Sequence, residues 1–364
     1  MTTCGWIFGR YLGRHYALAL LMFLGGLAGI IYLFEVAELL RRTAGMTDVG
    51  LGLVTRMAAY KMPETIERIL PFVVLFAGLF SFQSLTRSRE LIVARAAGVS
   101  VWQFLTPALV VTLVFAGLYL AVLNPIGATF NARYRVLDER LSGAPTTLDL
   151  TGAGLWLRQS QGERRYLIHA DRVERNPLTL IPLNALVYDL NNHYLGRVDA
   201  AQGVLDKGEW KVERAWVNNE GQPPRFEEVL RIPTTLTSMA IEESMAVPST
   251  ISFWQLPAFI RSITAIGLPS TAYALRWQEL WAEPFILVAM VLFAATFSLR
   301  HDRHGGRLKA LVAALTVGGV VFALGNAVRA LGVAQTLPLP LAAWSIPLAA
   351  LFAGYAALLH LEEG

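Results

Sequence analysis

Cysteine occurs once in the 364 residues, as Cys4. That excludes an intrachain disulfide, so any domain in the chain holds together by packing alone. Charge is also scarce: 16% of residues are charged, while 54% are hydrophobic. An ordinary soluble domain is about a quarter charged, and a chain this apolar stays dispersed only where lipid covers the excess. Enzyme signatures are missing too. There is no GxxxxGK[ST] to cradle nucleotide phosphates, no HExxH, no GxSxG and no paired-cysteine metal site. The chain has no evident means of hydrolysing ATP by itself, and no cofactor or metal is expected. His301 and His304 flank Asp302 in a short loop, but a basic loop explains them better than a metal site. The net charge of +4 is no nucleic-acid footprint. In a membrane protein the placement of Arg and Lys matters more than their sum.

Long hydrophobic runs are what the sequence has in plenty. A helix needs about 20 apolar residues to cross a ~30 Å hydrocarbon core. Six stretches qualify: Ala17 to Phe34, Ile69 to Leu85, Val101 to Leu123, Leu280 to Leu299, Ala310 to Val328 and Leu339 to Leu359. The first lacks the small-residue cleavage site of a signal peptide and reads as a retained helix. Its Gly25 and Gly29 form a small-xxx-small pair that allows a second helix close, although glycines are common in spans anyway.

Orientation follows from the loops. Arg10, Arg14, Arg87, Arg89 and Arg95, then Arg300, Arg303, Arg307 and Lys309, fall on one side. Arg41, Arg42, Arg56, Lys61 and Arg68 fall on the other. The first set is larger and sits in shorter loops, so it is placed in the cytoplasm with both termini. Residues 125–271, between the third helix and the fourth, then form a domain on the outer side. The membrane parts are 1–124 and 272–364.

The insert opens with a helical spacing of Phe130, Tyr134, Leu137 and Leu141. Strand signals follow at Leu155 to Leu157, Tyr166 to Ile168, Leu186 to Tyr188 and Trp210 to Val217. Asn191-Asn192 and Asp206-Lys207-Gly208 supply turn chemistry between them. Alternation puts Trp210, Val212 and Trp216 on one face of a strand, with Lys211 and Glu213 on the other. Short strands separated by turns predict a sandwich or jelly roll. An amphipathic helix near Trp254 to Ile266 leads back to the membrane.

Two constellations carry chemistry. Residues 89 to 97 are good helix formers, and Gly98 suits a helix stop. Such a short helix, with Arg89, Glu90 and Arg95 as handles, is built to dock into a partner's groove, or else is a basic loop obeying topology. Arg41 and Arg42 sit beyond the end of the first helix, with Arg56, Lys61 and Arg68 before the second. Guanidinium groups pair bidentately with phosphate, so the cluster suits an anionic lipid headgroup, with snorkelling as the plain alternative. Arg329 is expected to join it, and Glu35 and Glu38 to pair with these arginines or, less naturally this close to the interface, to relay protons.

The whole chain resembles the LptF/LptG (YjgP/YjgQ) permeases of lipopolysaccharide export. Arg10-Tyr11, the Arg89-Glu90-Leu91 to Ala97-Gly98 loop, Gly154-Leu155-Trp156 and Tyr166 to Val173 carry the resemblance. So do Gly208-Glu209-Trp210 and the run Ala295 to Arg300, and the latter, with Arg303, Gly305-Gly306 and Ala342-Ala343-Trp344, looks closer to LptG. The resemblance implies an α-helical membrane protein with six transmembrane helices plus an inserted periplasmic β-jellyroll domain, set in a bacterial inner membrane. It implies a permease subunit of an ABC transporter, paired with an LptF-like permease and two copies of an LptB-like ATPase. Arg89, Glu90, Leu91, Arg95 and Gly98 would form the coupling helix in the ATPase groove. Lipopolysaccharide would enter a cavity beside helices 1 and 5 and leave through jellyroll domains toward LptC- and LptA-like periplasmic proteins. Arg41, Arg42, Arg68 and Arg329 would meet its phosphates. Family members can carry lysine where this chain has Glu35, so attraction to phosphate is weaker there unless a divalent cation bridges.

Two other classes remain on the residues alone. A membrane-bound enzyme acting on lipids lacks a catalytic constellation here. A lipoprotein-release scaffold usually has four spans, against the six counted.

Overall fold

In lipid a backbone can satisfy its own polar groups only as a helix or a closed barrel, and the apolar runs are helical. The computed structural model of the chain describes residues 2–44, 49–88, 90–96, 98–142, 155–161, 164–175, 178–189, 193–206, 208–234, 247–265, 270–299 and 306–363. Helices α1 (Thr2–Thr43) and α2 (Leu51–Arg87) are followed by a short α3 (Glu90–Ala96). Helix α4 (Val101–Leu118) runs through a π-helical turn (Tyr119–Leu123) into α5 (Asn124–Ser142). After six strands come α6 (Leu256–Ala265), α7 (Thr271–Leu299), α8 (Gly306–Val333) and α9 (Leu339–Glu363). Six of these helical stretches are long and apolar enough to cross a membrane.

The spans outrun their apolar cores. The second begins at Leu51 rather than Ile69, and the third extends to Asp138. The helix sought at Phe130 to Leu141 is therefore the continuation of the third span. By contacts the chain divides into two compact units. One comprises Met1–Tyr134, Ser249–Leu256 and Thr271–Gly364, and the other Arg135–Pro248 and Pro257–Ser270.

In the helical unit α7 is central, packing on α2, α4, α8 and α9, while α1 lies on α2 and α4. The α2–α7 contact depends on Gly78, where an added Cβ would stand 2.7 Å from the Ala294 Cβ. Small residues allow this close approach. Tyr16 stacks on Phe82 at 6.3 Å, and its hydroxyl shares a 2.9 Å hydrogen bond with Thr112, fixing α1 to α4 inside the core. Two helices are left largely uncovered. In α1 and α8 only 11% of the most apolar window is buried, against 61% in α7. Gly25 and Gly29 belong to that uncovered surface, with nothing within 4 Å, so none of the described helices uses the pair.

The other unit is a six-stranded antiparallel sheet in the order β1-β2-β3-β4-β5-β6. Its strands are β1 (Leu155–Gln161), β2 (Arg164–Arg175), β3 (Leu178–Asp189), β4 (Tyr194–Asp206), β5 (Glu209–Asn219) and β6 (Arg225–Pro233). The sheet is compatible with the expected jellyroll, because it curls until its two outermost strands touch. The Gln159 amide of β1 donates to the Pro233 carbonyl at 3.2 Å and accepts from the Thr234 hydroxyl at 2.6 Å.

A crease crosses this sheet. The ladders skip Asp171 and Pro182, then Ala201, Arg214 and Glu228, which stand in register from β2 to β6. Pro182 has no N–H to give a ladder, and Arg214 sits at φ 54°. Inward parity switches at the row. Leu180, Trp210 and Val212 are buried on one side of it, and Leu183, Ala200 and Ala215 on the other. Trp216 therefore does not share a face with Trp210 and Val212: it is 53% exposed, while they are at 0%. Strict alternation fails because Arg214 in the left-handed region turns the strand over. Lys211 is exposed as expected. The Asn191-Asn192 turn lies outside the described residues, and Gly208 has the positive φ of 83° its turn requires.

Candidate functional site

Three groupings in the helical unit contain the candidate residues. The first is α3. Glu90 opens this seven-residue helix, and the N–H of Val99 bonds the Ala94 carbonyl at 3.1 Å across Gly98, whose φ is +82°. That is a Schellman stop, which glycine adopts without steric penalty. Ser100 and Gln103 then form a capping box that starts α4 at once. The Tyr11 hydroxyl of α1 donates to Glu90 Oε1 at 3.4 Å. Arg89 and the side chains of Leu91 and Arg95 lie outside the described residues, as do His301, Asp302 and His304.

The second grouping is a cleft of about 410 Å³ between α1 and α2, lined by Ile31, Phe34, Ala37, Glu35, Glu38, Arg41 and Lys61. Lys61 holds Glu35 at 2.7 Å, and the Thr65 hydroxyl reaches the other Glu35 oxygen at 3.4 Å. Glu35 thus pairs with a lysine of α2 rather than with the arginines at the end of α1. Glu38 does take an arginine, Arg41, which binds it with two nitrogens at 2.7 and 2.9 Å. Arg42 also acts electrostatically on Glu38. Arg68 pairs with Glu64 within α2 at 2.6 Å.

Arg329 belongs to the third grouping. Its Nε meets Glu279 Oε1 at 3.0 Å. On the same helix as Glu279, Arg276 bonds Glu67 of α2, which also accepts the Tyr119 hydroxyl. Arg276 and Glu67 keep only 11% and 17% of their side-chain surface. Glu283 acts electrostatically on this set. A guanidinium keeps its charge when buried, so its burial is tolerated only with such partners around it. Arg276 and Glu279 escaped the sequence reading because the fourth span was started at Leu280. Their signal is there in retrospect: Arg276, Glu279 and Glu283 recur at i, i+3 and i+7, one face of a helix. Tyr119 opens the π-helical turn, a device found often at functional sites. The next residues are tied down by the segment returning from the sheet: Trp254 Nε1 donates to the Ala121 carbonyl at 3.3 Å, and the Phe253 N–H to Asn124 Oδ1 at 2.8 Å.

Of the four expected lipid-binding arginines, Arg41 lines the cleft and Arg42 adjoins it. Arg68 and Arg329 are each engaged elsewhere. No three His, Cys, Asp or Glu converge as metal ligands among the described residues.

Residues 10–360 match the family described as lipopolysaccharide export system permease LptF/LptG. The chain belongs to that family. It is accordingly a multi-pass membrane protein and a lipopolysaccharide export permease, consistent with its six apolar helices. The match does not separate LptF from LptG. No curated protein matches the sequence.

Proposed function

We propose that this LptF/LptG member is the LptG-like permease of an ABC transporter that extracts lipopolysaccharide from the inner membrane and hands it to a periplasmic bridge. The observation that carries this reading is the α3 turn: a short helix opened by Glu90, stopped by Gly98 and followed immediately by a capped span. A helix so defined between two spans is a rigid handle for a soluble motor. Drawing a lipid with several acyl chains out of a bilayer exposes apolar area at ~25 cal/mol per Å². A chain without nucleotide motifs takes that work from an ATPase, here two LptB-like copies.

Arg89, Glu90, Leu91 and Arg95 serve as the coupling contacts, with Gly98 as the stop. Both termini and α3 are cytoplasmic, in line with the arginine-rich short loops. The sheet is then periplasmic and passes lipid toward LptC- and LptA-like proteins. An LptF-like partner covers the apolar sides of α1 and α8. Arg41, Arg42, Arg68 and Arg329 form the basic set for lipid phosphates, with Arg41 and Arg42 leading because they border the cleft.

The test is reconstitution in proteoliposomes with and without the ATPase, scored by transfer of lipopolysaccharide to an acceptor. ATP-dependent transfer supports the reading. Turnover of a lipid by the purified chain alone, or a cytosolic location for residues 155–233, overturns it.

A further inference from the structure

The α1–α2 cleft is amphiphilic and electrically balanced. Ile31, Phe34 and Ala37 supply an apolar floor, and Phe34 is 72% exposed, with none of the described residues covering it. From Ile31 to Arg41, α1 climbs about 15 Å at ~1.5 Å per residue. The Glu38–Arg41 end of the cleft thus stands beyond Ile31 and Phe34, as a headgroup stands beyond acyl chains. Its four charged side chains are two carboxylates, Glu35 and Glu38, and two cations, Arg41 and Lys61. They sum to zero, and Arg42 alongside makes the neighbourhood weakly positive.

We infer that the cleft takes a lipid whose headgroup carries both a phosphate and a protonated amine. This rests on the permease reading above and deepens it by naming the form of lipopolysaccharide preferred. A phosphate drawing Arg41 toward itself must take it from Glu38, whose two oxygens that arginine now satisfies. With phosphate alone, Glu38 is left beside an added anion. With an ammonium on the same headgroup, Glu38 exchanges one cation for another and every charge stays paired. Complementarity of this kind sets specificity more than raw affinity. Glu35, 14% exposed and held by Lys61, fixes the inner wall, whereas Glu38, 52% exposed, is the group that exchanges.

The experiment uses the full chain in its native membrane assembly, in nanodiscs holding equal amounts of two probes. One is lipopolysaccharide with unmodified lipid A phosphates, and the other is the same molecule with phosphoethanolamine on a phosphate. A photo-crosslinking residue replaces Ile31, magnesium is chelated, and the ratio of crosslinked lipids is read by mass. The wild-type cleft enriches the amine-bearing probe about fivefold, the scale of one exposed ion pair. Glu38→Gln brings the ratio to about one while both probes are still crosslinked. Glu38 is the variant of choice because its side chain is exposed, whereas the Glu35–Lys61 pair joins α1 to α2. Equal crosslinking of both probes in the wild type overturns the inference alone. So does a preference that appears only when magnesium is restored, which marks a metal bridge. Crosslinking of neither probe overturns both the inference and the role of this cleft in export.

Discussion

Glu67 of α2 is shared between the guanidinium of Arg276 on α7 and the hydroxyl of Tyr119 at the π-helical turn, so one carboxylate joins three spans. Removing one member of a buried pair strands the other, which costs about 3–5 kcal/mol, whereas replacing both with apolar groups costs far less. Arg276→Met is therefore expected to lower thermal stability in detergent more than the double variant Glu67→Leu/Arg276→Met. Equal loss in the two, by differential scanning fluorimetry, would mean that the pair does not couple α2 to α7.

Among the described residues, Glu90 is tied to the rest of the chain by the 3.4 Å contact from Tyr11. Glu90→Ala is expected to abolish co-purification of the ATPase and export while leaving the melting temperature unchanged. Tyr11→Phe removes a long, half-exposed hydrogen bond and should leave the ATPase bound. Retention of the ATPase by Glu90→Ala in a pull-down would remove α3 from the coupling role.

The arginines separate by their partners. Arg41→Glu/Arg42→Glu is expected to cut crosslinking to lipopolysaccharide severalfold with folding intact, because Arg41 is 77% exposed and its partner 52%. Arg329→Glu faces Glu279, whose side chain keeps 19% of its surface, and is expected to lower stability by more than ~1 kcal/mol. Unchanged crosslinking for the first pair, or unchanged stability for the second, would contradict these roles.

The crease gives a contrast within one strand. Trp210 is fully buried, and Trp210→Ala is expected to cost ~3–5 kcal/mol. Trp216 touches Phe226 at 5.2 Å on the exposed face, and Trp216→Ala is expected to cost no more than ~1 kcal/mol. Hydrogen exchange over β5 in the intact chain reads both. Similar deprotection by the two variants would show that the strand keeps one inward face throughout.

The spans were legible because ~20 apolar residues have few other uses, and the Gly98 stop because so few residues tolerate positive φ. What escaped reading depended on distant partners. Glu35 was expected to pair with the arginines six and seven residues further along α1, yet it meets Lys61 across an interhelical gap that the sequence alone does not measure. Arg276 and Glu279 looked like loop residues because their helix starts at Thr271, ahead of the apolar run. The outward turn of Trp216 was hidden since a period of two has no way to register a single left-handed residue such as Arg214. Strands β4 and β6 were missed for a related reason: their glycine, glutamine and paired glutamates give little β signal, and neighbouring strands complete their ladders.

Within the helical unit, the segment returning from the sheet is fastened to the rod by which the chain leaves that unit. The outgoing chain leaves through α5, and the returning chain is pinned to that rod by Phe253 on Asn124, Trp254 on Ala121 and the 2.8 Å bond from Asn131 to Ser249. Such a clasp makes the insert a cassette. A graft of a different sheet between α5 and Ser249 should leave the bundle's own helix contacts standing so long as those three fastenings are kept.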